Sequence, residues 1–214
     1  MSELSPFQRR VAEVLFNLPE ADGYALAGGA ALILRRVITR ETADLDAFIA
    51  ACPGPDPGTI DALANAFADS VLGFGWMVET ARRNPTFCRY FVTSGEERTE
   101  VDLAVDSPPL EPPETVDGLP VLTSLDLGGR KVLAIVDRLE ARDYTDLHAL
   151  AALLGRQTCI EVALSMDAGL RVRDIAEAFA RVTSILDHRF PEGTDDSALI
   201  KRYFNEWADE LQAL

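Results

Sequence analysis

The sequence predicts an α/β or α+β fold, with a core built on a mixed sheet in residues 1–122 and a helical bundle in residues 123–214. Short apolar runs broken by glycine and proline dominate the first half, whereas helical apolar spacing dominates the second half. Strands that precede a block of helices indicate this architecture. Hydrophobic residues make up 48% of the chain and charged residues 26%, which is typical of a globular protein.

The first elements follow from apolar spacing and from the residues that interrupt it. Pro6 suits the first turn of a helix, and Gly28-Gly29 ends a short apolar run. In chain order we expect a helix over residues 6–18, a strand over 24–27, a helix over 30–38 and a strand over 44–50.

A meander of strands and a set of helices complete the predicted chain. Residues 52–58 (CPGPDPG) form a proline-rich loop, and Thr59 caps a helix that runs to about residue 72. Asn84-Pro85 and Ser94-Gly95 separate three apolar runs, which predicts an antiparallel meander. We expect strands over residues 76–81, 86–93 and 99–105, a loop over 107–118, and helices over 125–141, 143–155, 158–168, 171–187 and 195–212.

The charge balance is strongly acidic. Acidic residues outnumber basic residues by 35 to 20, which gives a formal charge of −15. This charge disfavours broad nucleic-acid binding, because phosphate contacts need lysine and arginine. It leaves room for a local basic strip, although most arginines of the first half are expected to be solvated at the surface. Eight of these arginines are Arg9, Arg10, Arg35, Arg36, Arg40, Arg82, Arg83 and Arg89.

Cysteine usage and hydropathy indicate the compartment. Cys52, Cys88 and Cys159 form an odd, scattered set, which argues against a disulfide framework and, with two distant histidines, against a structural zinc site. No apolar run approaches the roughly 20 residues of a membrane span. The first ten residues lack the apolar segment of a secretory signal. We therefore expect a cytoplasmic protein with no membrane partner.

Two carboxylates in the strand over residues 44–50 carry the first functional hypothesis. Side chains alternate along a strand, so Asp44 and Asp46 face the same way while Leu45 faces the core. Two adjacent carboxylates repel each other, and a divalent cation removes that penalty. Hard oxygen ligands suit Mg²⁺. The alternative is a solvent-facing edge strand whose acids discourage aggregation.

A third carboxylate and a glycine pair extend the hypothesis. If the strand over residues 99–105 pairs beside the first, Asp102 becomes the third metal ligand and two Mg²⁺ ions can be held. Three carboxylates around two metals serve in-line displacement at phosphorus. Gly28-Gly29, followed by a helix, allows a phosphate to approach the backbone closely.

A second polar block lies in the helical half. Lys131 and Arg138 are seven residues apart and share a helix face, and Lys131 follows Gly128-Gly129-Arg130 as a residue of an active-site rim. Arg142 and Asp146 are four residues apart and could form an exposed ion pair worth about 0.3–0.5 kcal/mol. For Arg138 and Arg142 a surface position is an equal alternative to a functional one. Tyr144 and Leu147 are expected in the core.

These residues resemble a known family. The segments LAGGAAL (26–32), RETADLDAF (40–48) and KVLAIVDRLEARDYTDL (131–147) resemble the nucleotidyltransferase AbiEii/AbiGii toxin family, which includes the mycobacterial MenT toxins. That family belongs to the DNA polymerase β-like nucleotidyltransferase superfamily. The resemblance covers residues 24–50 and 125–155 well. One departure is Ala30, since the family commonly has serine or threonine after the glycines.

The resemblance implies an activity. Members transfer a nucleoside monophosphate from a nucleoside triphosphate with magnesium, and for several the acceptor is the 3′ end of tRNA. Such extension blocks translation until a cognate antitoxin acts. By position, the resemblance assigns phosphate contacts to Gly28, Gly29 and Ala30, metal ligation to Asp44 and Asp46, and triphosphate contacts to Lys131 and Arg138, with Asp143 or Asp146 completing the pocket.

Two other functions are compatible with the sequence. The same chemistry could act on a small molecule such as an aminoglycoside, since an acidic surface suits a cationic substrate. A non-catalytic nucleotide-binding module is the third hypothesis, and Ala30 favours it because a hydroxyl that could contact phosphate is missing.

Overall fold

The computed structural model of the chain describes residues 3–49, 59–192 and 196–213. The chain divides into two compact units. Unit 1 comprises Met1–Arg35 and Glu41–Thr123, and unit 2 comprises Arg36–Arg40 and Ser124–Leu214. The proline-rich loop expected over residues 52–58 lies outside the described residues.

Unit 1 is built on a seven-stranded sheet with the order β3-β4-β5-β2-β1-β7-β6. Its strands are β1 (Tyr24–Ala27), β2 (Asp44–Ile49), β3 (Met77–Asn84), β4 (Phe87–Ser94), β5 (Glu97–Ala104), β6 (Glu114–Val116) and β7 (Leu119–Val121). Its described helices are α1 (Pro6–Phe16), α2 (Gly28–Leu34) and α3 (Thr59–Gly73), with a 3-10 turn at Pro19–Ala21.

The sheet is mixed, which confirms the predicted fold class. Strands β3, β4 and β5 form the expected antiparallel meander. Strand β2 pairs with β5 in parallel and with β1 antiparallel, and this places Asp46 beside Asp102 on one side and Ala27 on the other. Strand β5 therefore lies beside β2, as the prediction of Asp102 as a third metal ligand requires.

Local hydrogen bonds and backbone conformation determine where helix α1 begins and where helix α2 ends. The Ser5 side chain accepts a hydrogen bond from the Gln8 backbone N–H (3.1 Å), and the Gln8 side chain accepts one from the Ser5 N–H (2.9 Å), which forms a capping box for α1. Helix α2 begins at Gly28 and ends at Leu34, before the predicted residue 38. Arg36 has a φ of 59°, and this left-handed conformation cannot continue a right-handed helix.

The loop predicted over residues 107–118 was wrong at its end, where β6 and β7 form a hairpin. Asp117 and Gly118 have φ values of 49° and 81°, as a tight two-residue hairpin turn of the primed type requires. An Asp-Gly pair between apolar residues signals such a turn, but the prolines that precede it obscure the strand pattern.

Unit 2 contains five described α-helices around one core. They are α4 (Ser124–Asp137), α5 (Ala141–Leu154), α6 (Arg156–Met166), α7 (Val172–Ala180) and α8 (Ser197–Gln212), with 3-10 turns at Arg181–Ser184 and Asp187–Arg189. The predicted helix over residues 171–187 therefore stops as an α-helix at Ala180. Arg181, at its end, donates hydrogen bonds to the carbonyls of Ile135 (2.6 Å) and Val136 (2.9 Å) on α4.

Aromatic packing and a glycine contact organise unit 2. Tyr144 and Phe204 meet edge to face at 5.0 Å, and Phe179 lies 4.7 Å from Trp207. A methyl group added at Gly129 would lie 2.4 Å from Val162 Cγ1, so this glycine lets α6 approach α4 closely. Tyr144 and Leu147 are fully buried, as predicted.

Cys88 and Cys159 are free and buried, and Cys52 lies outside the described residues. Across the described chain, no single helix has the length and apolarity that a membrane span requires. The pair Ala141–Leu154 and Arg156–Met166 reaches that threshold only when taken together, and it bends by 112°.

Candidate active site

The glycine turn after β1 is shaped by Asp46. Gly28 has a φ of +58°, which favours glycine, and a Cβ placed there would lie 1.7 Å from Asp46 Oδ2. The carboxylate of Asp46 therefore occupies the space that any side chain at residue 28 would need. Ala30 is fully buried in the core, so its methyl group packs against protein.

Asp44 and Asp46 share one face of β2. Both are half-buried, whereas Leu45 and Ala47 between and beyond them are fully buried. The Thr42 hydroxyl donates a hydrogen bond to Asp44 Oδ1. The predicted alternation along this strand is thus present, with two carboxylates on the same face and an apolar core on the other.

Asp102 lies beside Asp46 and makes an ion pair with Arg89. The guanidinium of Arg89 donates through Nε to Oδ1 (2.8 Å) and through a terminal nitrogen to Oδ2 (2.6 Å). The same terminal nitrogen lies 3.0 Å from Glu100 Oε1. Asp102 is buried, so this bidentate contact compensates a carboxylate that burial would otherwise penalise.

Arg89 is a residue that sequence reasoning left among the solvated arginines. A signal for its role exists in the hairpin of β4 and β5. The tight turn after Ser94 pairs Ser94 with Glu97, and counting back along the two strands puts Arg89 opposite Asp102. The sequence predicts the turn, but the strand register is also needed to place Arg89 opposite Asp102.

The donor set suits a hard divalent cation. Asp44 and Asp46 offer carboxylate oxygens on one strand face, and Mg²⁺ is commonly bound by one or two carboxylates together with substrate phosphates. Within the described part of the chain, no group of three or more His, Cys, Asp or Glu side chains is arranged as a metal cluster. Two protein carboxylates plus phosphate oxygens therefore fit this strand.

The second polar block forms a buried ionic network in unit 2. Lys131 Nζ lies 2.8 Å from Asp143 Oδ1 and 2.8 Å from Asp146 Oδ2. Arg138 donates to Asp143 (2.7 Å), and Arg40 donates through two nitrogens to Asp146 (2.9 and 2.6 Å). Three cations thus enclose two carboxylates, and both carboxylates are completely buried.

The structure corrects the expected position of Lys131 and decides the alternative that was open for Asp146. Lys131 is 7% exposed, so it is buried within the network and not exposed at a rim. Asp146 is fully buried, which rules out the alternative of a surface ion pair for it. Arg40 is also buried, although the sequence suggested a solvated position. Its partner is 106 residues away, and no local pattern reveals such a contact.

The network shifts the ionisation of its members. Burial alone would raise the pKa of Asp143, but Lys131 and Arg138 outweigh it and lower that pKa to about 2. Burial would lower the pKa of Lys131, but Asp146 and Asp143 outweigh it and raise the pKa. Asp143 and Lys131 are therefore both charged at neutral pH.

Two of the solved structures that share this architecture are bacterial proteins. The chain is similar to JHP933 from Helicobacter pylori, with 18% identity, 99% of each chain covered and a TM-score of 0.55. It is also similar to MenT4, a nucleotidyltransferase toxin from Mycobacterium tuberculosis H37Rv, with 18% identity, 97% of this chain and 90% of that chain covered, and a TM-score of 0.59. A search of curated protein sequences found no match.

The mixed seven-stranded sheet and the helical unit share the fold of these two structures, which confirms the predicted fold class. The family model described as "Nucleotidyl transferase AbiEii toxin, Type IV TA system" matches residues 11–212. The chain belongs to this family, which makes it a nucleotidyltransferase of a toxin–antitoxin system and confirms the resemblance seen in the sequence.

Proposed function

We propose that the chain transfers a nucleoside monophosphate from a nucleoside triphosphate to the 3′ end of tRNA in the cytoplasm, with Mg²⁺ held by Asp44 and Asp46. The observation that supports this most strongly is the carboxylate of Asp46 seated against Gly28, in a chain that belongs to a nucleotidyl transferase toxin family. A strand is a rigid support, so the two carboxylates present a fixed pair of oxygens to a bound ion.

The proposed reaction is an in-line displacement. The oxygen of the acceptor hydroxyl forms a bond to the α-phosphorus, while the bond from that phosphorus to the pyrophosphate oxygen breaks. Pyrophosphate leaves, and the hydroxyl proton passes to solvent. When bound, magnesium supplies neutralisation of charge on the triphosphate oxygens. Asp44 and Asp46 orient that ion, and Thr42 holds Asp44 through its hydroxyl.

The buried network carries the second part of the proposal. Lys131, Arg138 and Arg40 bring three positive charges against two carboxylates, so the network carries net positive charge, which suits a polyanionic triphosphate. Asp143 and Asp146 act by holding these cations in place. In this scheme Lys131 and Arg138 contribute to nucleotide binding, and Asp146 supports the reaction from α5.

The biological consequence follows from the acceptor. A tRNA whose 3′ end carries extra nucleotides cannot be aminoacylated, so translation stops until a cognate antitoxin relieves the block. A small cationic acceptor such as an aminoglycoside is a second candidate, because the formal charge of −15 favours cationic molecules near the protein.

The acceptor can be tested with α-labelled nucleoside triphosphates and Mg²⁺. We expect label on intact tRNA and none on tRNA whose 3′ ribose has been oxidised with periodate. Label on an aminoglycoside, with none on tRNA, would replace the first candidate with the second. A folded protein that binds nucleotide but labels neither acceptor would contradict both, and would instead indicate a binding module.

A further inference from the structure

Three neighbouring strands carry a row of charged residues across the sheet. Asp46 on β2 is the register partner of Asp102 on β5, and Asp102 is the register partner of Arg89 on β4. Register partners on adjacent strands project from the same face, and such strands lie about 4.8 Å apart. One face of unit 1 therefore carries, on adjacent strands, the carboxylate of Asp46, the carboxylate of Asp102 and the guanidinium of Arg89.

Arg89 is held in this row from several sides. Its fork engages both oxygens of Asp102, and one of its terminal nitrogens also reaches Glu100. Its Cζ atom lies 5.6 Å from the centre of the Phe87 ring, a residue two positions earlier on β4. A guanidinium with this many contacts is preorganised, so it loses little freedom by staying on Asp102.

The charge of Arg89 is permanent under any physiological condition. Its hydrogen bonds from the fork to Asp102 raise its pKa above its ordinary value, and the charges of Asp102, Glu100 and Asp46 act in the same direction. Asp102 thus has a fixed cationic partner at the position where a second metal ion would have to share its oxygens. A divalent ion there would meet a guanidinium at hydrogen-bond distance from the same carboxylate.

We propose that Arg89 is a positioning residue that occupies Asp102 in place of a second cation, so that this face holds one divalent ion, at Asp44 and Asp46. This inference rests on the proposed function, because it presumes the ion at those two residues. It departs from the sequence-based expectation of two ions, since that expectation assigned Asp102 to a metal. The role of Arg89 is to set the number of ions and to keep the buried carboxylate neutralised.

The test is the stoichiometry of Mn²⁺ binding, measured without nucleotide by electron paramagnetic resonance of the free ion. We expect one Mn²⁺ per wild-type chain, and one per chain in Asp102→Asn, because Asp102 is not a ligand. Arg89→Met removes the fork and frees Asp102, so we expect two. The double variant Arg89→Met with Asp102→Asn should return to one.

A conservative variant guards against misfolding. Arg89→Lys keeps a positive charge beside Asp102 and should bind one Mn²⁺, with the circular dichroism spectrum of the wild type. If Arg89→Met does not fold, the comparison of wild type with Asp102→Asn still decides, since equal stoichiometry of one is required. Two ions on the wild type, with one lost in Asp102→Asn, would overturn the role of Arg89 alone. If the wild type binds no ion without nucleotide, the series is repeated with one equivalent of a non-hydrolysable nucleoside triphosphate. No ion bound to the wild type then would overturn the metal site of the proposed function as well.

Discussion

Asp44 and Asp46 are half-exposed carboxylates on a strand, whereas Asp143 and Asp146 are fully buried carboxylates on a helix. In the strand pair, Asp44 accepts a hydrogen bond from the Thr42 hydroxyl, and Asp46 lies against the glycine turn at Gly28. The helix pair is enclosed by lysine and arginine at hydrogen-bond distance. The difference predicts that substitutions in the strand pair mainly change transfer, whereas substitutions in the helix pair mainly change the stability of its unit.

The sharpest way to break this comparison is Asp46→Asn, which keeps the shape of the side chain and removes its charge. We expect the rate of nucleotide transfer to fall about 10³-fold, because loss of a metal ligand removes several kcal/mol of transition-state stabilisation. The free energy of unfolding in urea should change by less than about 0.5 kcal/mol, since the residue is half-exposed. Asp69→Asn, at an exposed position on α3, is the control and should change neither quantity.

In the buried network, Lys131→Met should have a large effect on the free energy of unfolding, whereas Asp46→Asn has a small one. We expect the free energy of unfolding to fall by about 4 kcal/mol, because Asp143 and Asp146 are completely buried and each loses a hydrogen-bonded cationic partner. The matched control is Lys201→Met, which removes a lysine from its pair with the largely exposed Asp187. That control should cost less than about 1 kcal/mol. Equal losses in the two variants would show that the network does not stabilise its unit.

The glycine turn offers a third test with its own matched control. Gly28→Ala should destabilise the protein by about 3 kcal/mol, because a left-handed alanine costs 1–2 kcal/mol and the added methyl group collides with Asp46. Gly95→Ala has a similar φ of +62° but nothing within 4 Å of the added methyl group. We expect it to cost about 1 kcal/mol and to leave transfer intact, whereas Gly28→Ala loses transfer because Asp46 is displaced. If the two variants are equally active, Asp46 does not depend on the turn.

The smallest effect concerns acid stability. The pKa of Asp143 is lowered from 3.8 to about 2 in the folded protein, so its contribution is present above the unfolded pKa and is lost as pH falls toward the folded pKa. Wild type should therefore lose about 2 kcal/mol of unfolding free energy between about pH 5 and pH 2 that Asp143→Asn does not lose. Parallel curves for the two proteins, measured by urea unfolding at each pH, would contradict this.

Local patterns carried much of the fold and part of the site. The alternation in β2, the glycine pair before it and the meander that leads to β5 are all encoded within a few residues, so they were predicted correctly. The structure adds a second requirement for glycine at residue 28, while the expected phosphate contact stays a prediction. The sequence suggested close approach of a phosphate, whereas the structure shows the carboxylate of Asp46 in the space that a side chain would take.

Long-range pairing could not be predicted in the same way. Arg40 and Asp146 are 106 residues apart, and only the folded chain shows that they pair. Lys131 is buried because both Asp143 and Asp146 lie on the facing helix α5, three residues apart, and an isolated sequence pattern does not distinguish this from a solvated face. The sequence therefore predicted candidate site residues, whereas the ion pairs among them are seen only in the structure.

The central claim is nucleotidyl transfer, and the position of the label in the nucleotide tests it most directly. Wild-type protein, Mg²⁺ and tRNA are incubated with nucleoside triphosphate labelled at either the α- or the γ-phosphate. We predict that α-label becomes attached to the RNA, that γ-label is released as pyrophosphate, and that Asp46→Asn does neither. Attachment of γ-label, or equal α-labelling by wild type and Asp46→Asn, would contradict the account.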